Sequence, residues 1–506
     1  MNYYIGIDLG TSSVKALIMS ANGKIAALSQ KDYDFDKPYY DFAEQDVNVW
    51  WQSTVFTIKD SLNQLRKIDS DYKISGLSFS GEMHGLVALD KNGNALRKAI
   101  LWCDSRSVKE LDYINNIVGL EKIMQINHSP EALGFLLPSL IWIKNNEPNI
   151  YEKIYKVILP KDYIRYKLTD IIASDITDAA ATGVFDSDNS SWSDYIIEKL
   201  NLERNIFPDI FYPYEISGSI TEKASKETGL EIGVKVSYGG ADQVMQAIGN
   251  GIINTNTASI TIGTGGQILM PIDKPIYDKK NMASHTFNFL FPNTWYYLGA
   301  ALSSGLALKW AKNNFCNINE TFKDIDLKVK DIKPGSNGII FLPYLAGERT
   351  PHMNSDASAM FLGLTLNHDR YHILRAVMEG VVYSLKDCFM ILTDDLNIEC
   401  NKLIASGGGS YSDVWLQIQS DILNREIYVS KTKEQAALGA AITSAIANKE
   451  YSSYEEAVNN IIKYNDKPVM PINEHVKIYN EYYQIFRECY KNNHQLMLKI
   501  KNIIFK

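Results

Sequence analysis

Near its start the chain reads Tyr3-Tyr4-Ile5-Gly6-Ile7-Asp8-Leu9-Gly10-Thr11-Ser12-Ser13-Val14-Lys15, and this stretch decides the fold class. Alternation of Ile5 and Ile7 with smaller or polar residues predicts a strand over 3–8. A turn of small residues follows, and a second strand is predicted over 14–19. Asn22-Gly23 is a strong hairpin signal, so the sequence predicts an antiparallel meander at the start of the chain.

Helical periodicity begins directly after this meander. The apolar positions recur at intervals of three and four residues, which places them on one helical face: Val47, Trp51, Val55, Ile58, Leu62 and Leu65. A strand is predicted next, over 74–80. Further helices are predicted over 374–392, 413–423 and 434–447, and the segment 473–506 is expected to be helical. Alternating strands and helices indicate an α/β protein.

A weak internal repeat divides the chain in two. Ser259-Ile260-Thr261-Ile262-Gly263-Thr264 echoes the opening strand and its turn, and the two Gly-Thr pairs lie 253 residues apart in a chain of 506. A repeat at half the chain length suggests two similar domains that face each other. Gly, Asn and Thr cluster at 250–256, so the boundary is predicted there, with domains at 1–250 and 251–506.

Composition excludes several classes of protein. Apolar residues make up 45% and charged residues 22%, as in ordinary globular proteins, and the net charge of −8 argues against a nucleic-acid binder. None of the five cysteines forms a CxxC pair, so disulfides and a zinc site are not expected. The start lacks a signal peptide, and no apolar run reaches 18 residues, so we expect a cytoplasmic protein without a membrane span.

The opening turn and a second acidic motif could carry chemistry. Asp8 ends a strand before a turn whose N–H groups and hydroxyls suit phosphate oxygens, and a carboxylate there could hold Mg²⁺; the alternative is a plain polar hairpin. In Tyr238-Gly239-Gly240-Ala241-Asp242-Gln243, Asp242 lies at a strand-to-helix junction. The helix dipole would keep this exposed carboxylate ionised, ready to accept a proton from a hydroxyl. The alternative is an ordinary Asp at a helix N-terminus.

Two glycine-rich segments could contact a nucleotide. Ile262-Gly263-Thr264-Gly265-Gly266-Gln267 is a turn between strands and a second candidate phosphate loop, although such turns are often only turns. Ala405-Ser406-Gly407-Gly408-Gly409-Ser410 is expected to open the helix that contains Trp415. Three consecutive glycines would leave a surface free of side chains against which a nucleotide could lie.

Three further segments are polar. Ser80-Gly81-Glu82-Met83-His84-Gly85 follows a strand, where α/β proteins place ligands, although a lone loop His is more often a surface residue. Trp102-Cys103-Asp104-Ser105-Arg106 lies at another strand end and could add partners for hydroxyls. Gly347-Glu348-Arg349-Thr350-Pro351-His352 is a dense polar loop for which chemistry alone gives no role.

Taken together, these segments resemble the FGGY carbohydrate kinases, and among them the xylulose kinases. Met83-His84 and Leu159-Pro160-Lys161-Asp162-Tyr163 favour the xylulose kinases over the glycerol kinases. The resemblance is spread over nearly the whole chain, on these segments: 5–12, 82–85, 100–106, 159–163, 174–180, 239–243, 342–352 and 407–409. It implies two actin-like, RNase H-like ATPase domains with the active site in the cleft between them.

The resemblance also implies the reaction and the site. D-Xylulose would be phosphorylated to D-xylulose 5-phosphate, with the sugar on the N-terminal domain, ATP on the C-terminal domain and Mg²⁺ as cofactor. Asp242 would be the catalytic base and Asp8 the carboxylate for Mg²⁺-ATP. The remaining implied contacts are Met83, His84, Asp104 and Gln243 for the sugar, and Thr11, Ser12, Lys15, Gly263, Thr264, Gly407, Gly408 and Gly409 for ATP. Family members often form dimers, so a homodimer is implied too.

Three positions depart from the family pattern. Gly265 stands where serine is common, Glu82 where glutamine is frequent, and Cys103 where asparagine is frequent. These departures affect the choice of sugar more than the reaction. The alternatives are therefore a kinase for another polyol or an aldonate, such as ribulose or gluconate, and a non-catalytic sugar or nucleotide sensor or an actin-like assembly protein.

Overall fold

The computed structural model describes residues 1–276 and 282–504. Strands and helices alternate along this part of the chain, as the sequence predicted. The strands are β1 (Asn2–Leu9), β2 (Ser13–Ser20), β3 (Ile25–Asp32), β4 (Glu44–Gln45), β5 (Lys73–Gly81), β6 (Val87–Leu89), β7 (Ala99–Ile100), β8 (Lys156–Ile158), β9 (Ser174–Asp175), β10 (Phe185–Asp186), β11 (Ser191–Trp192), β12 (Ile210–Phe211), β13 (Ile216–Ser219), β14 (Lys235–Ser237), β15 (Gly240–Ala241), β16 (Asn256–Ile262), β17 (Gly266–Ile272), β18 (His285–Asn288), β19 (Trp295–Ala301), β20 (Ile340–Leu342), β21 (Met360–Leu362), β22 (Cys400–Ser406) and β23 (Glu426–Val429).

The described residues also form seventeen α-helices. They are α1 (Val47–Arg66), α2 (Val108–Ile114), α3 (Leu120–Asn127), α4 (Leu136–Asn146), α5 (Pro148–Tyr151), α6 (Pro160–Thr169), α7 (Ile176–Ala179), α8 (Asp194–Lys199), α9 (Glu222–Thr228), α10 (Asp242–Gly249), α11 (Gly305–Phe315), α12 (Phe322–Val329), α13 (Arg370–Met390), α14 (Asp413–Leu423), α15 (Gln435–Ala447), α16 (Tyr454–Ile461) and α17 (Asn473–Ile504). Among the described residues, no helix is both long and apolar enough to cross a lipid bilayer.

Two mixed sheets repeat one topology. The first has the order β13-β14-β5-β1-β2-β3, with β15 also paired to β5, and the second has the order β18-β19-β17-β16-β22-β23. In each sheet a central strand pairs antiparallel with the next strand of the chain and parallel with a later one: β1 with β2 and β5, and β16 with β17 and β22. The repeat suggested by the two Gly-Thr pairs is therefore present as a repeated sheet, and the α/β class is confirmed.

The antiparallel strands predicted at the start of the chain are confirmed, and the burial of their apolar residues against α1 explains them. Ile5 and Ile7 of β1 are fully buried in one apolar cluster with Trp50 and Leu65 of α1. The helix begins where the Asp46 side chain accepts a hydrogen bond from the N–H of Asn48 at 2.9 Å. The buried stripe on α1 thus covers one face of the first sheet.

The other face of this sheet is covered from far along the chain. Tyr4 of β1 shares a buried cluster with Ala437 and Ala441 of α15. A Cβ on Gly6 would overlap the carbonyl oxygen of Ala437, so the helix backbone lies directly on the strand. A Cβ on Gly439 would likewise overlap the backbone of α10. The boundary at residue 250 stays a prediction, and the structure adds that α15, which follows that boundary in the chain, packs on the first sheet.

The later predicted helices are confirmed with small shifts. α13, α14, α15 and α17 occupy the expected segments, although residues 505–506 at the predicted end of the last helix lie outside the described residues. One local prediction is wrong: the three glycines do not open α14 directly. They lead into a 3₁₀ turn, Gly408–Tyr411, and Ser412 caps the helix by accepting from the N–H of Trp415.

Candidate active site

Asp8 lies at the carboxyl end of β1, at the edge of the first sheet. Parallel pairing puts Ser80 of β5 beside it, and the Ser80 hydroxyl donates to Asp8 Oδ1 at 2.8 Å. Burial raises the pKa of Asp8, while the Ser80 hydrogen bond and the charge of Lys15 oppose this rise. The predicted metal carboxylate therefore lies at the edge where parallel sheets present ligands.

Asp242 is the first residue of α10, after a turn that only glycine fits. Gly239 has a φ of 70°, and a Cβ there would overlap the Phe79 backbone of β5. The Ala241 N–H donates to Thr177 Oγ1 at 2.9 Å, which fixes the helix start. Asp242 Oδ1 is buried and has no hydrogen-bond partner among the described residues.

The expectation of an exposed, fully ionised Asp242 is wrong. Burial, and next the charge of Asp8, raise the pKa of Asp242 to about 7, while hydrogen bonds from Gln243 oppose the rise. The helix dipole does not offset this desolvation, because walls from both halves of the chain enclose the carboxylate. A pKa near neutrality suits a group that takes up a proton during a reaction.

Asp242 opens into a small cavity of about 130 Å³. Four predicted site residues meet in its wall: Asp242, Gln243, Met83 and His84. The other lining residues come from both halves of the chain, and they are Glu82, Trp102, Leu133, Phe135, Gln267, His285, Phe287, Leu298, Ala300 and Arg349. Its size and its mixture of polar and apolar groups suit a small polyhydroxy compound.

His84 is held rigidly in this wall. Its ring stacks on Phe135 at a centroid distance of 3.9 Å, and its Nδ1 lies 2.7 Å from the carbonyl oxygen of Ala181. Burial lowers the pKa of His84 to about 4, so the ring is neutral at physiological pH. A carbonyl can only accept, so Nδ1 carries the proton and Nε2 is left as an acceptor.

Glu82 is a buried acid beside Asp242. Its side chain lies on the cavity wall, and its Oε2 accepts from Thr11 Oγ1 at 2.7 Å, which in turn accepts from Trp102 Nε1 at 2.9 Å. Its Oε1 is buried without a partner among the described residues. Burial, with a further contribution from the charge of Asp242, raises the pKa of Glu82 to about 8. Glu82 is therefore protonated at neutral pH, when it offers a donor and an acceptor much as glutamine would.

A second, larger cavity of about 910 Å³ lies on the other half of the chain. Gly263, Thr264, Gly408 and Gly409 line it, so the structure brings the two predicted glycine-rich loops together. Gly407, with a φ of 73°, lies just before this wall. Trp415 and Leu308 supply apolar surface, and three lysines supply positive charge: Lys309, Lys323 and Lys330.

Close backbone packing shapes the loop at Thr264. The Gly305 N–H at the start of α11 donates to the Gly263 carbonyl at 2.8 Å, and a Cβ on Gly305 would overlap that oxygen. A Cβ on Gly265, which replaces the common serine, would lie 2.8 Å from the Ala301 carbonyl oxygen. Glycine at both positions therefore lets the loop lie against β19 and α11.

The remaining predicted residues are placed differently. Lys15 of β2 donates to Glu434 Oε2 at 2.6 Å rather than standing free, and Ser12 is exposed in the turn. Asp104 is 2% exposed and does not line either cavity described above. Its oxygens accept from Arg106 and from the N–H of Ala43, so the structure does not bring it to the smaller cavity.

Arg349 and His285 are cavity residues to which the sequence gave no role. Arg349 comes from the polar loop after β20, and its guanidinium is largely buried. His285 comes from β18, and burial, followed by the charge of Arg349, lowers its pKa to about 3. The density of polar residues in 347–352 was a signal for the loop, whereas nothing in the sequence around His285 marked it.

The two cavities suit Mg²⁺-ATP and a small polyol. No set of three or more His, Cys, Asp or Glu side chains in 1–276 and 282–504 could by itself hold a metal ion. Mg²⁺ commonly keeps its waters and binds through one or two carboxylates and the phosphates of a nucleotide. Asp8, with one oxygen bonded to Ser80, fits that role, and the glycine walls of the larger cavity fit a nucleotide.

Comparison with known proteins gives consistent matches. Residues 3–249 match the N-terminal domain of the FGGY family of carbohydrate kinases, and residues 258–448 match its C-terminal domain. The chain is 35% identical to a xylulose kinase of Staphylococcus xylosus over 97% of this chain and 100% of that protein. It is 30% identical to a gluconokinase of Bacillus subtilis, over 96% and 95%. A ligand-bound xylulose kinase structure from Lactobacillus acidophilus has a TM-score of 0.92 at 26% identity, over 99% and 100%.

Proposed function

The chain belongs to the FGGY family of carbohydrate kinases, with the family's two-domain actin-like fold, and we propose that it phosphorylates D-xylulose on O5 with ATP. The observation that carries this proposal is the carboxylate of Asp242, which lines a small cavity together with Met83 and His84 and whose Oδ1 has no partner among the described residues. Its similarity to xylulose kinases over nearly the whole chain supports the choice of sugar.

Asp242 acts as the base for the sugar hydroxyl. Its carboxylate accepts the hydrogen bond of the O5 hydroxyl and aims that oxygen at the phosphoryl group. As the bond from O5 to the γ-phosphorus forms and the bond from that phosphorus to the oxygen of the departing ADP breaks, Asp242 takes up the proton, for which a pKa of about 7 is well matched. His84 accepts a hydroxyl of the sugar at Nε2, and Gln243 adds a polar contact. The cavity walls exclude most water, which would otherwise compete as acceptor.

ATP binds in the larger cavity with its phosphates directed toward Asp8. Gly408, Gly409 and Trp415 contact the nucleoside, and the N–H groups of the turns at Thr264 and Thr11 hold phosphate oxygens. Asp8 would hold Mg²⁺, and Gly263, Gly407, Ser12 and Lys15 would add contacts on the phosphate side. When bound, Mg²⁺ would offset negative charge on the transferred phosphoryl group. Phosphoryl transfer needs such positioning more than covalent catalysis.

A coupled assay of ADP release tests the proposal. Purified protein with Mg²⁺-ATP is offered D-xylulose, D-ribulose, L-ribulose, gluconate, glycerol or no sugar. We expect D-xylulose to give the highest kcat/KM. No stimulation of a folded protein by any of these compounds would contradict the proposal and would favour a non-catalytic sensor.

Gluconate is the second candidate substrate. The observation that favours it is the 30% identity to a gluconokinase over nearly the whole chain, together with a buried arginine on the cavity wall. A higher kcat/KM for gluconate than for D-xylulose in the same panel would select this alternative. A homodimer and a cytoplasmic location remain predictions, which light scattering and cell fractionation test.

A further inference from the structure

The guanidinium of Arg349 is a largely buried cation, and the charge of the neighbouring Glu348 acts on it. It lines the sugar cavity, and burial lowers its pKa. Within residues 1–276 and 282–504, the structure records no hydrogen bond or ion pair of this side chain. Leaving the donors of a buried cation unsatisfied is costly, so such a group generally has a partner in the working state of a protein.

Hydrogen bonds to neighbouring elements hold the loop that carries Arg349 in place. The Glu348 carboxyl group accepts from the N–H groups of Leu302 at 2.9 Å and Arg349 at 2.8 Å, and from Ser384 Oγ at 3.0 Å. Thr350 Oγ1 donates to the Ala283 carbonyl at 2.6 Å. These bonds attach the loop to the end of β19, to α13 and to the backbone just before β18. Arg349 is thus held at the cavity by the fold.

Arg349 belongs to one end of the cavity. Its charge contributes to the low pKa values of His84 and His285, whereas the charge that acts on Asp242 is that of Asp8. Asp242 and Glu82 thus form an acidic part of the cavity wall, and Arg349 lines the same cavity close enough to His84 and His285 to act on both. A substrate with O5 at Asp242 directs its other end toward Arg349.

The chemistry of ketopentoses defines what that other end carries. The furanose ring of a ketopentose closes when O5 adds to C2, so ring-closed sugar has no O5 hydroxyl to phosphorylate. Transfer to O5 requires the acyclic form, whose C2 carbonyl oxygen is a good hydrogen-bond acceptor. A guanidinium offers five fixed N–H donors for such an oxygen and its neighbouring hydroxyls.

We propose that Arg349 donates hydrogen bonds to the C2 carbonyl oxygen of acyclic D-xylulose and so makes the cavity select the open-chain ketose. This inference rests on the proposed function. Arg349 is in this view a specificity-determining residue that touches the substrate at the end remote from transfer. A substrate without the carbonyl should gain nothing from it.

Xylitol, the pentitol that lacks the carbonyl, is the matched probe. We would measure the KM and kcat of D-xylulose and the inhibition constant of xylitol for the wild type, Arg349→Met and Arg349→Lys. A hydrogen bond to a charged group is worth about 10- to 100-fold. We expect Arg349→Met to lose about that factor in kcat/KM for D-xylulose and to bind xylitol within about threefold of the wild type, with Arg349→Lys between.

The outcomes separate the inference from the proposed function. Thermal unfolding and ADP binding first establish that each variant is folded. Equal losses for D-xylulose and xylitol would overturn the inference while leaving the kinase assignment intact, as would a larger loss for gluconate than for D-xylulose. A wild type without D-xylulose turnover would overturn both.

Discussion

Glu82→Gln is the substitution whose effect the structure defines most sharply. Glu82 is 3% exposed, and burial raises its pKa from 4.5 to about 8. The folded protein therefore keeps a proton that the unfolded chain releases between these pH values. The contribution of Glu82 to the free energy of unfolding therefore falls as the pH rises through that window, by about 1.4 kcal/mol per pH unit and roughly 5 kcal/mol in total. Glutamine keeps one donor and one acceptor and does not titrate.

We expect the difference in thermal stability between Glu82→Gln and the wild type to grow with pH. Thermal unfolding of the wild type and Glu82→Gln is compared from pH 5 to pH 9, with Glu121→Gln on the exposed surface of α3 as control. The advantage of Glu82→Gln should widen up to about pH 8 and then stay constant. The control should show no such trend.

The activity profile gives a second measure of the same group. Above about pH 8, Glu82 ionises beside Asp242 and loses its donor, so kcat/KM of the wild type should fall about tenfold per pH unit. Glu82→Gln should keep its activity there, with a gap of about tenfold at pH 9. A stability difference that is independent of pH, together with identical alkaline limbs, would refute the assignment of a buried, protonated Glu82.

Three further results are expected. Asp242→Asn should lower kcat by about 10³-fold and leave D-xylulose binding by calorimetry within a few-fold, because only the proton acceptor is removed; lost binding with retained turnover would contradict this role. In the wild type, kcat/KM should fall about tenfold per pH unit below about pH 7 as Asp242 takes up a proton, and a flat acid limb would argue against it as base. Gly305→Ala should raise the KM for ATP at least about tenfold, because its Cβ displaces the Gly263 carbonyl, with sugar affinity unchanged; an unchanged KM would show that the loop tolerates the shift.

The sheets could be predicted from the sequence because their signals are local. Alternation in β1 and β2 and the turn of small residues between them fix a strand-turn-strand unit without reference to the rest of the chain. The echo at Gly263-Thr264 then reveals the second sheet. The two glycine-rich loops that line the larger cavity and the group around Asp242 follow from the same local patterns, helped by the family resemblance.

The raised pKa of Asp242, and the part of the cavity wall that comes from the second half of the chain, could not be predicted from local patterns. Burial raises the pKa of Asp242 because β18, β19 and the loop at Arg349, from the other half of the chain, line the same cavity, and no local pattern encodes that burial. His285 enters the cavity only through pairing of β18 with β19. Asp104 is the opposite case, because a local pair explains where it lies. Its oxygens accept hydrogen bonds from Arg106, two residues later, and that pair is visible in the sequence.

The position of α15 has a consequence for how the protein is made. The face of β1 and β5 that this helix covers carries two glycines. Gly6 lies against the backbone of α15, and Gly76 lies against the side chains of Ser444 and of Asn448 just after the helix. On the ribosome, the first sheet emerges roughly 10 to 40 s before α15 does, with that face bare. The nascent first half therefore cannot complete its core alone. A fragment ending near residue 250 should bind chaperones or aggregate, and supplying residues 251–506 as a separate chain should restore its solubility.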